Sequence, residues 1–420
     1  MSSTFTVIEH VMPGQHIREY PHSIKGKQET PLQLAIKQYI PLDRPTPIPD
    51  NAITIIGSPG NGSPKEIYEP LWEDLYTELK KKGIPLRAIW IADISNQGAS
   101  GTLNEHVQGD QTNWYDHSRD LLHMVNQFRD EMPRPIIGVA HSMGCAQLVN
   151  LSVIHPRLLS TLILFEPVIL DDSFKGPGGP NPGFLSSRRR DLWPSAEKAK
   201  ESLSKGLKTW DPRVQELYLK YGLRKVPTAI YPDSTVGPEA VTLTTTKHQE
   251  SWNYFTPNLE PENLDRLLLP DWDVTKERPY LFSRPEGWSA MRNLAFLRPT
   301  VQWVFGEKSY LSSLDSQDAK MQVTGSGVGG SGGVQAGAVE KAVLKNGSHT
   351  LVFENVNWCA ETAAMWIQKW FAGWLADEKF WSEYQSRHSD GEMLRLSKEA
   401  IAVAKIPTGT ERGKLPKGKL

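Results

Sequence analysis

The chain has 420 residues, 39% of them hydrophobic and 23% charged, with 47 lysines and arginines against 48 acids and a formal net charge of −1. This composition excludes wholesale disorder and fibrous repeats, and the near-neutral balance leaves no electrostatic footprint for nucleic acid or an anionic membrane. Two cysteines, Cys145 and Cys359, cannot make a disulfide framework and point to a reducing compartment.

At about 150 residues per domain the length fits two or three domains. Residues 1–9 lack the apolar run of a signal peptide, and no apolar run nears the ~20 residues that cross a bilayer. A soluble chain, not secreted by the usual route, is expected. Short β-branched runs alternate with helical periodicity, the pattern of a mostly parallel sheet with helices on both faces. Residues 32–39 alternate like an early antiparallel strand. Residues 52–56 read as a buried strand, followed by a glycine-rich turn at 57–62. Leu71, Leu75 and Leu79 mark a helix over 69–82. Next come a strand at 86–91, a helix at 118–132, a strand at 135–139, a helix at 144–155, and a strand at 162–165 that runs into Glu166-Pro167.

The alternation then stops. From 170 to about 296 there is no convincing core strand, but many prolines, five of the fourteen tryptophans and the run Arg188-Arg189-Arg190. We read 170–296 as a mainly helical lid inserted into a core made of 1–169 and 297–385. That core resumes with a strand at 300–305, a glycine-rich loop, a final strand at 338–344 and a long helix over 358–384. Trp366, Trp370 and Trp374 form a stripe on that helix, read as core packing, with a subunit interface as the alternative. The tail 386–420 ends in Gly418-Lys419-Leu420, the small–basic–leucine shape of a peroxisomal address, with glycine where the standard form has serine.

The chemistry centres on Ala140-His141-Ser142-Met143-Gly144, where a buried strand meets a helix. A serine on such a sharp turn, with small residues two before and two after, is the nucleophile elbow of the α/β-hydrolase fold. The turn puts Ser142 at a helix N-terminus, where the Met143 N–H can face a developing oxyanion. His141 points away from its neighbour and reads as packing or loop hydrogen bonding. Chain order in this fold is serine, acid, histidine, so the base belongs after the last strand, where His349 stands. The acid commonly sits after the penultimate strand, but that loop carries Glu307 and then Ser309, and serine cannot hold the charge. The other place is the end of the strand after the nucleophile helix, and Glu166 is there. The expected triad is Ser142, Glu166 and His349, with Glu307 as the runner-up acid. A second oxyanion donor should come from the loop after 52–56, with the Ser63 N–H first and Asn61 second. A phosphate-cradling role is the weaker alternative for that loop, because no Lys-Ser/Thr pair follows.

Serine at the elbow excludes dehalogenase and epoxide-hydrolase chemistry, which need an aspartate ester. Metal hydrolysis is not expected either, as neither H-x-x-x-H nor paired cysteines occur. What remains is acyl transfer from an ester, thioester or lactone without a cofactor. The glycine run 324–333 precedes a strand, which excludes a dinucleotide turn and favours a flexible connector, with a loop gripping a pyrophosphate as the alternative. The arginine run reads as a solvated face with phosphate contact as the alternative, the lid residues Trp193, Trp210, Trp252, Trp272 and Trp288 as packing or an acyl pocket, Asp93 as loop hydrogen bonding or a pocket residue, and Cys145 as a buried small hydrophobe.

These residues also carry a likeness. The 61–66 loop, Ala92-Asp93, Gly98-Ala99-Ser100, the elbow, Glu166-Pro167, Trp210-Asp211-Pro212-Arg213 and His349 together resemble the fungal peroxisomal α/β-hydrolases of toxin and mycophenolic acid biosynthesis. The resemblance implies hydrolysis of a bulky acyl-CoA, import by the peroxisomal receptor and a homodimer. By motif it matches Ser142 to the nucleophile, His349 to the base and Glu166 to the acid, where the mycophenolic acid relatives have aspartate. The competing readings are a carboxylesterase or lactonase, an acyltransferase or cyclase of a toxin pathway, and a non-catalytic binding protein on the same fold.

Overall fold

Ile53, Ile55 and Ile56 are wholly buried, as a strand covered on both faces must be, and they lie at the middle of an eight-stranded sheet. The computed structural model describes residues 4–170, 181–232, 236–256, 258–271 and 284–409. Trp272 and the terminal Gly418-Lys419-Leu420 lie outside the described residues. The strands are β1 (Phe5–Pro13), β2 (Gln33–Pro41), β3 (Ile53–Ser58), β4 (Leu86–Ala92), β5 (Ile136–His141) and β6 (Thr161–Phe165). After β7 (Leu192–Trp193), β8 (Leu223–Lys225) and β9 (Val241–Leu243) come β10 (Thr300–Gly306) and β11 (Val339–Leu344). The main sheet runs β1-β2-β4-β3-β5-β6-β10-β11. Pairs β1·β2 and β2·β4 are antiparallel, and every pair from β4 to β11 is parallel.

Helices α1 (Glu69–Lys81), α2 (Gly98–Leu103), α3 (Trp114–Gln127) and α4 (Met143–Ile154) connect the first strands. On one face of the sheet, Ile56, Trp90, Ala140, Leu164 and Trp303 form a cluster with Leu121 and Met124 of α3 and Leu148 of α4. Alternate residues Ile91, Val139 and Phe165 point the other way, toward Leu71 and Trp72 of α1. Each such fully buried aliphatic side chain stabilises the fold by roughly 1.5–3 kcal/mol relative to exposure. Helix α3 starts four residues before the predicted one. Its cap is Asn113, whose side chain accepts from the Tyr115 N–H at 2.8 Å. Strand β1 was not foreseen, for a physical reason: as an edge strand it buries fully only Phe5 and Met12.

The segment 170–296 carries α5 (Pro182–Ser187), α6 (Ala196–Leu203), α7 (Pro212–Tyr221), α8 (Lys247–Trp252), α9 (Asp265–Leu268) and α10 (Pro285–Asn293). It also holds a sheet of its own, β7-β9-β8, packed around Trp193 and Ala199. Strands of two or three residues are too short to show a period of two. Ala290 of α10, with Leu294 and Leu297 after it, joins the main core. After β10 come α11 (Leu314–Val323), absent from the expectation, α12 (Leu351–Glu354), α13 (Val356–Ser386), α14 (Asp390–Met393) and α15 (Lys398–Ala404). The glycine run is not a slack connector. The N–H groups of Gly325, Gly327 and Ser331 donate to the carbonyls of Leu294, Ala295 and Leu297 at 2.8, 2.7 and 2.8 Å. A Cβ on Gly330 would meet the Gly325 and Ala295 carbonyl oxygens at 2.4 and 2.7 Å, so that approach needs glycine.

Residues 1–368 form one compact unit and 369–420 a second. In the first, Trp366 is buried and its indole N–H donates to Thr161 Oγ1 at 2.8 Å. In the second, Trp370, Phe371 and Trp374 pack ring on ring, and Phe380, Trp381 and Tyr384 form an exposed aromatic group. Among the described residues no helix is long and apolar enough to cross a membrane.

Candidate active site

Because β3, β5, β6, β10 and β11 are parallel, the loops that follow them open on one edge of the sheet. Ser142 sits between β5 and α4 at φ 56° and ψ −119°, a backbone conformation that L-residues avoid. The strain is held by neighbours: its N–H donates to the Phe165 carbonyl at 2.9 Å, and its carbonyl accepts from the Val168 N–H at 3.2 Å. The residue two positions on must be glycine, since a Cβ on Gly144 would lie 2.3 Å from the Ser58 carbonyl oxygen.

His349, in the loop after β11, places Nε2 2.9 Å from Ser142 Oγ and Nδ1 3.2 Å from Glu166 Oε2. A carboxylate only accepts, so Nδ1 carries the hydrogen and Nε2 is free to accept the serine O–H. Glu166, wholly buried at the end of β6, also adopts a positive φ of 47°. Its second oxygen, Oε1, accepts from the Gly306 N–H at 2.5 Å and Ser312 Oγ at 2.9 Å. Three donors thus compensate a carboxylate that would otherwise be costly to bury. The structure brings Ser142, His349 and Glu166 together. It leaves Glu307 out: that side chain is exposed and accepts from the Asn346 N–H at 2.8 Å. Gly306 and Ser312 were missed, and no local signal marks Ser312, which lies 146 positions from its partner.

Met143 opens α4, where an N–H has no acceptor within the helix. The two candidates in the loop after β3 change order. The Ser63 N–H donates to the Gly60 carbonyl at 3.3 Å, whereas the Asn61 N–H has no acceptor among the described residues. Asn61 is also the better held. Its side chain accepts from Gln97 Nε2 at 2.5 Å and donates to the Glu250 carbonyl at 3.0 Å. A Cβ on the preceding Gly60 would come within 3.2 Å of Ser142 Cβ, so this loop lies against the nucleophile.

The remaining singled-out residues lie outside this hydrogen-bond chain. Asp93 is buried and accepts from the Lys65 N–H, Lys65 Nζ and the Ala99 N–H at 2.9, 2.7 and 2.9 Å. Burial alone would push Lys65 down, but Asp93 and Glu66 outweigh it and hold the ammonium above its ordinary value. Arg189 is tied within the lid segment to Glu250 at 2.5 Å and the Tyr218 hydroxyl at 2.8 Å. Arg188 and Arg190 are exposed and lean on Phe184 and Trp193. Cys145 is buried, and burial pushes its thiol well up. Trp193 is core, while Trp210, Trp252 and Trp288 are half-buried. Among the described residues no group of three or more histidines, cysteines or carboxylates is placed to hold a metal ion.

The sequence profile of the Alpha/beta hydrolase family matches residues 55–364. The chain is 38% identical, over a 440-residue alignment covering 99% of both sequences, to the type I acyl-CoA thioesterase mpaH' of Penicillium brevicompactum. It is 36% identical to the type I acyl-CoA thioesterase mpaH of Penicillium roqueforti, over 98% of both. The solved peroxisomal alpha-beta-hydrolase Lpx1 of Saccharomyces cerevisiae superposes with a TM-score of 0.66 at 16% identity, covering 96% of each chain, a likeness of fold.

Proposed function

The chain belongs to the α/β-hydrolase family, and from that membership we propose that it hydrolyses the thioester of a bulky acyl-CoA in fungal secondary metabolism. The observation that carries the chemistry is the hydrogen-bond chain from Ser142 Oγ through His349 to Glu166. The near full-length likeness to type I acyl-CoA thioesterases supports the substrate class.

In this reading Ser142 Oγ attacks the thioester carbonyl as His349 Nε2 takes its proton, and Glu166 stabilises the imidazolium that forms. The N–H groups of Met143 and Asn61 receive the charge that develops on the carbonyl oxygen. Collapse breaks the carbon–sulfur bond, and His349 returns its proton to the leaving coenzyme A sulfur. Water then attacks the acyl-enzyme by the same route in reverse order, releasing the carboxylic acid and restoring Ser142. Incubation with a panel of acyl-CoAs, reading free thiol, tests the proposal. Thiol release should fall to background in Ser142→Ala. Cleavage of the matching methyl ester without thiol release would instead make the protein a carboxylesterase.

The same reading places the enzyme in the peroxisome, through recognition of Gly418-Lys419-Leu420 by the import receptor, and the resemblance supports this. Deleting the tripeptide should abolish import, and an unchanged distribution would end the assignment. The enzyme acts as a homodimer in this reading, and the exposed aromatic group Phe380, Trp381 and Tyr384 supports a self-association surface. A monomeric mass by light scattering would contradict it.

A further inference from the structure

Tyr68 and His141 touch none of the reacting groups by hydrogen bond, yet both are buried between the loops that carry them. The Gly60 N–H donates to the Tyr68 hydroxyl oxygen at 2.8 Å. That hydroxyl lies 3.0 Å from His141 Nδ1, and His141 Nε2 lies 3.0 Å from the carbonyl oxygen of His349. The direction of every bond is fixed by its far end. A carbonyl only accepts, so His141 Nε2 carries the hydrogen. Nδ1 of a neutral ring must then accept, so the tyrosine O–H donates to it and leaves the phenol oxygen to accept from Gly60.

We infer that Tyr68 and His141 are positioning residues, a strap that fixes the loop carrying the oxyanion donor Asn61 to the loop carrying the base His349. This inference rests on the reading of Ser142 and His349 as nucleophile and base. The Phe353 ring packs edge-on against both members, at 5.2 Å from Tyr68 and 5.1 Å from His141, and so holds them in register. The strap also needs glycine at position 60, where a Cβ would stand 2.9 Å from His141 Nδ1. Burial, with His349 nearby, pushes His141 down to about 3, so the ring keeps one protonation state while His349 cycles. A charged His141 would set an N–H against the Tyr68 O–H and a cation beside the imidazolium, its ring centre 5.4 Å away. Catalysis demands this rigidity, because a misplacement of ~1 Å between nucleophile, base and donors costs on the order of 100-fold in rate.

Labelling of the full chain by a fluorophosphonate isolates the strap, because the reaction uses Ser142, His349 and the oxyanion donors but no coenzyme A. Tyr68→Phe removes one oxygen and keeps the ring. Its limiting labelling rate should fall ~10-fold or more while the half-saturating concentration stays within about 2-fold. His141→Gln can set an amide N–H where Nε2 stands and should label at least several-fold faster than His141→Leu. A Tyr68→Phe chain that labels like wild type overturns the strap, as does equal loss in the two His141 variants. If Tyr68→Phe does not fold, the His141 pair decides alone. A wild-type chain that fails to label removes the nucleophile reading, and the strap with it. Normal labelling of wild type and Tyr68→Phe alike removes the strap only.

Discussion

Every acceptor position that Glu166 presents to the protein is matched by a donor: Oε2 to His349, Oε1 to Gly306 and Ser312. Glutamine at 166 cannot satisfy this arrangement. Its NH2 must face either the His349 Nδ1–H or the Gly306 N–H, and each is a donor. If it faces the histidine, the ring is driven into the wrong tautomer and Nε2 can no longer take the serine proton. Glu166→Gln should therefore lower kcat for thioester hydrolysis by ~10³–10⁴-fold with the fold intact. Steady-state kinetics, with circular dichroism to check folding, would test this, and full activity would remove Glu166 as the acid. The pairing of Glu166 with His349 was legible because Ser309 stands where the commoner loop would need an aspartate, leaving Glu166 at the alternative strand end. Its supporting donors were not legible. Ser312 reaches Glu166 only because β10 pairs with β6, and pairing between distant strands leaves no mark on a neighbouring residue.

At the scale of elements, helix α3 carries a residue that ties stability to pH. His117 is wholly buried, and neither ring nitrogen has a hydrogen-bond partner among the described residues. Burial pushes it down to about 4, and His141 in the strap lies lower still, at about 3. Both folded-state values are below the ordinary 6.5 of an unfolded histidine. Between the two limits the unfolded chain binds protons that the folded chain does not. Their contribution to stability is full above pH 6.5 and is lost as the pH falls toward 4. The slope approaches about 1.4 kcal/mol per pH unit for each histidine. Thermal unfolding from pH 7 to pH 4.5 should show Tm dropping with acid, and His117→Leu should make that drop shallower. An equal drop in the variant would show that His117 does not titrate on unfolding. The buried helices and strands were the easily read elements, since an apolar run or period extends through the whole element. Strand β1 and the short lid strands β7, β8 and β9 were not, because an exposed edge or a two-residue span carries too few buried positions to set a period.

For the whole molecule, what matters is that every residue assigned a role in the chemistry, from Asn61 to His349, falls within the first compact unit, residues 1–368. The core cluster that positions them, from Met12 to Val339, does so too. Beyond Ser386 the described chain is two short helices, α14 and α15, in which no residue is buried. Helix α14 is closed locally by a capping box between Ser389 and Glu392. Among the described residues, a chain ending at Ser386 therefore loses none that is buried and none assigned a role in the chemistry. Single substitutions at exposed positions typically change stability by no more than ~0.5 kcal/mol, and a small change is likewise expected here. The shortened chain should keep its Tm within about 2 °C and label with fluorophosphonate at the wild-type rate. It should also remain outside the peroxisome, since the tripeptide is gone. Three measurements on one variant thus separate address from catalyst. Loss of labelling would mean that the tail takes part in forming the active site, and unchanged import would mean that the address lies elsewhere in the chain.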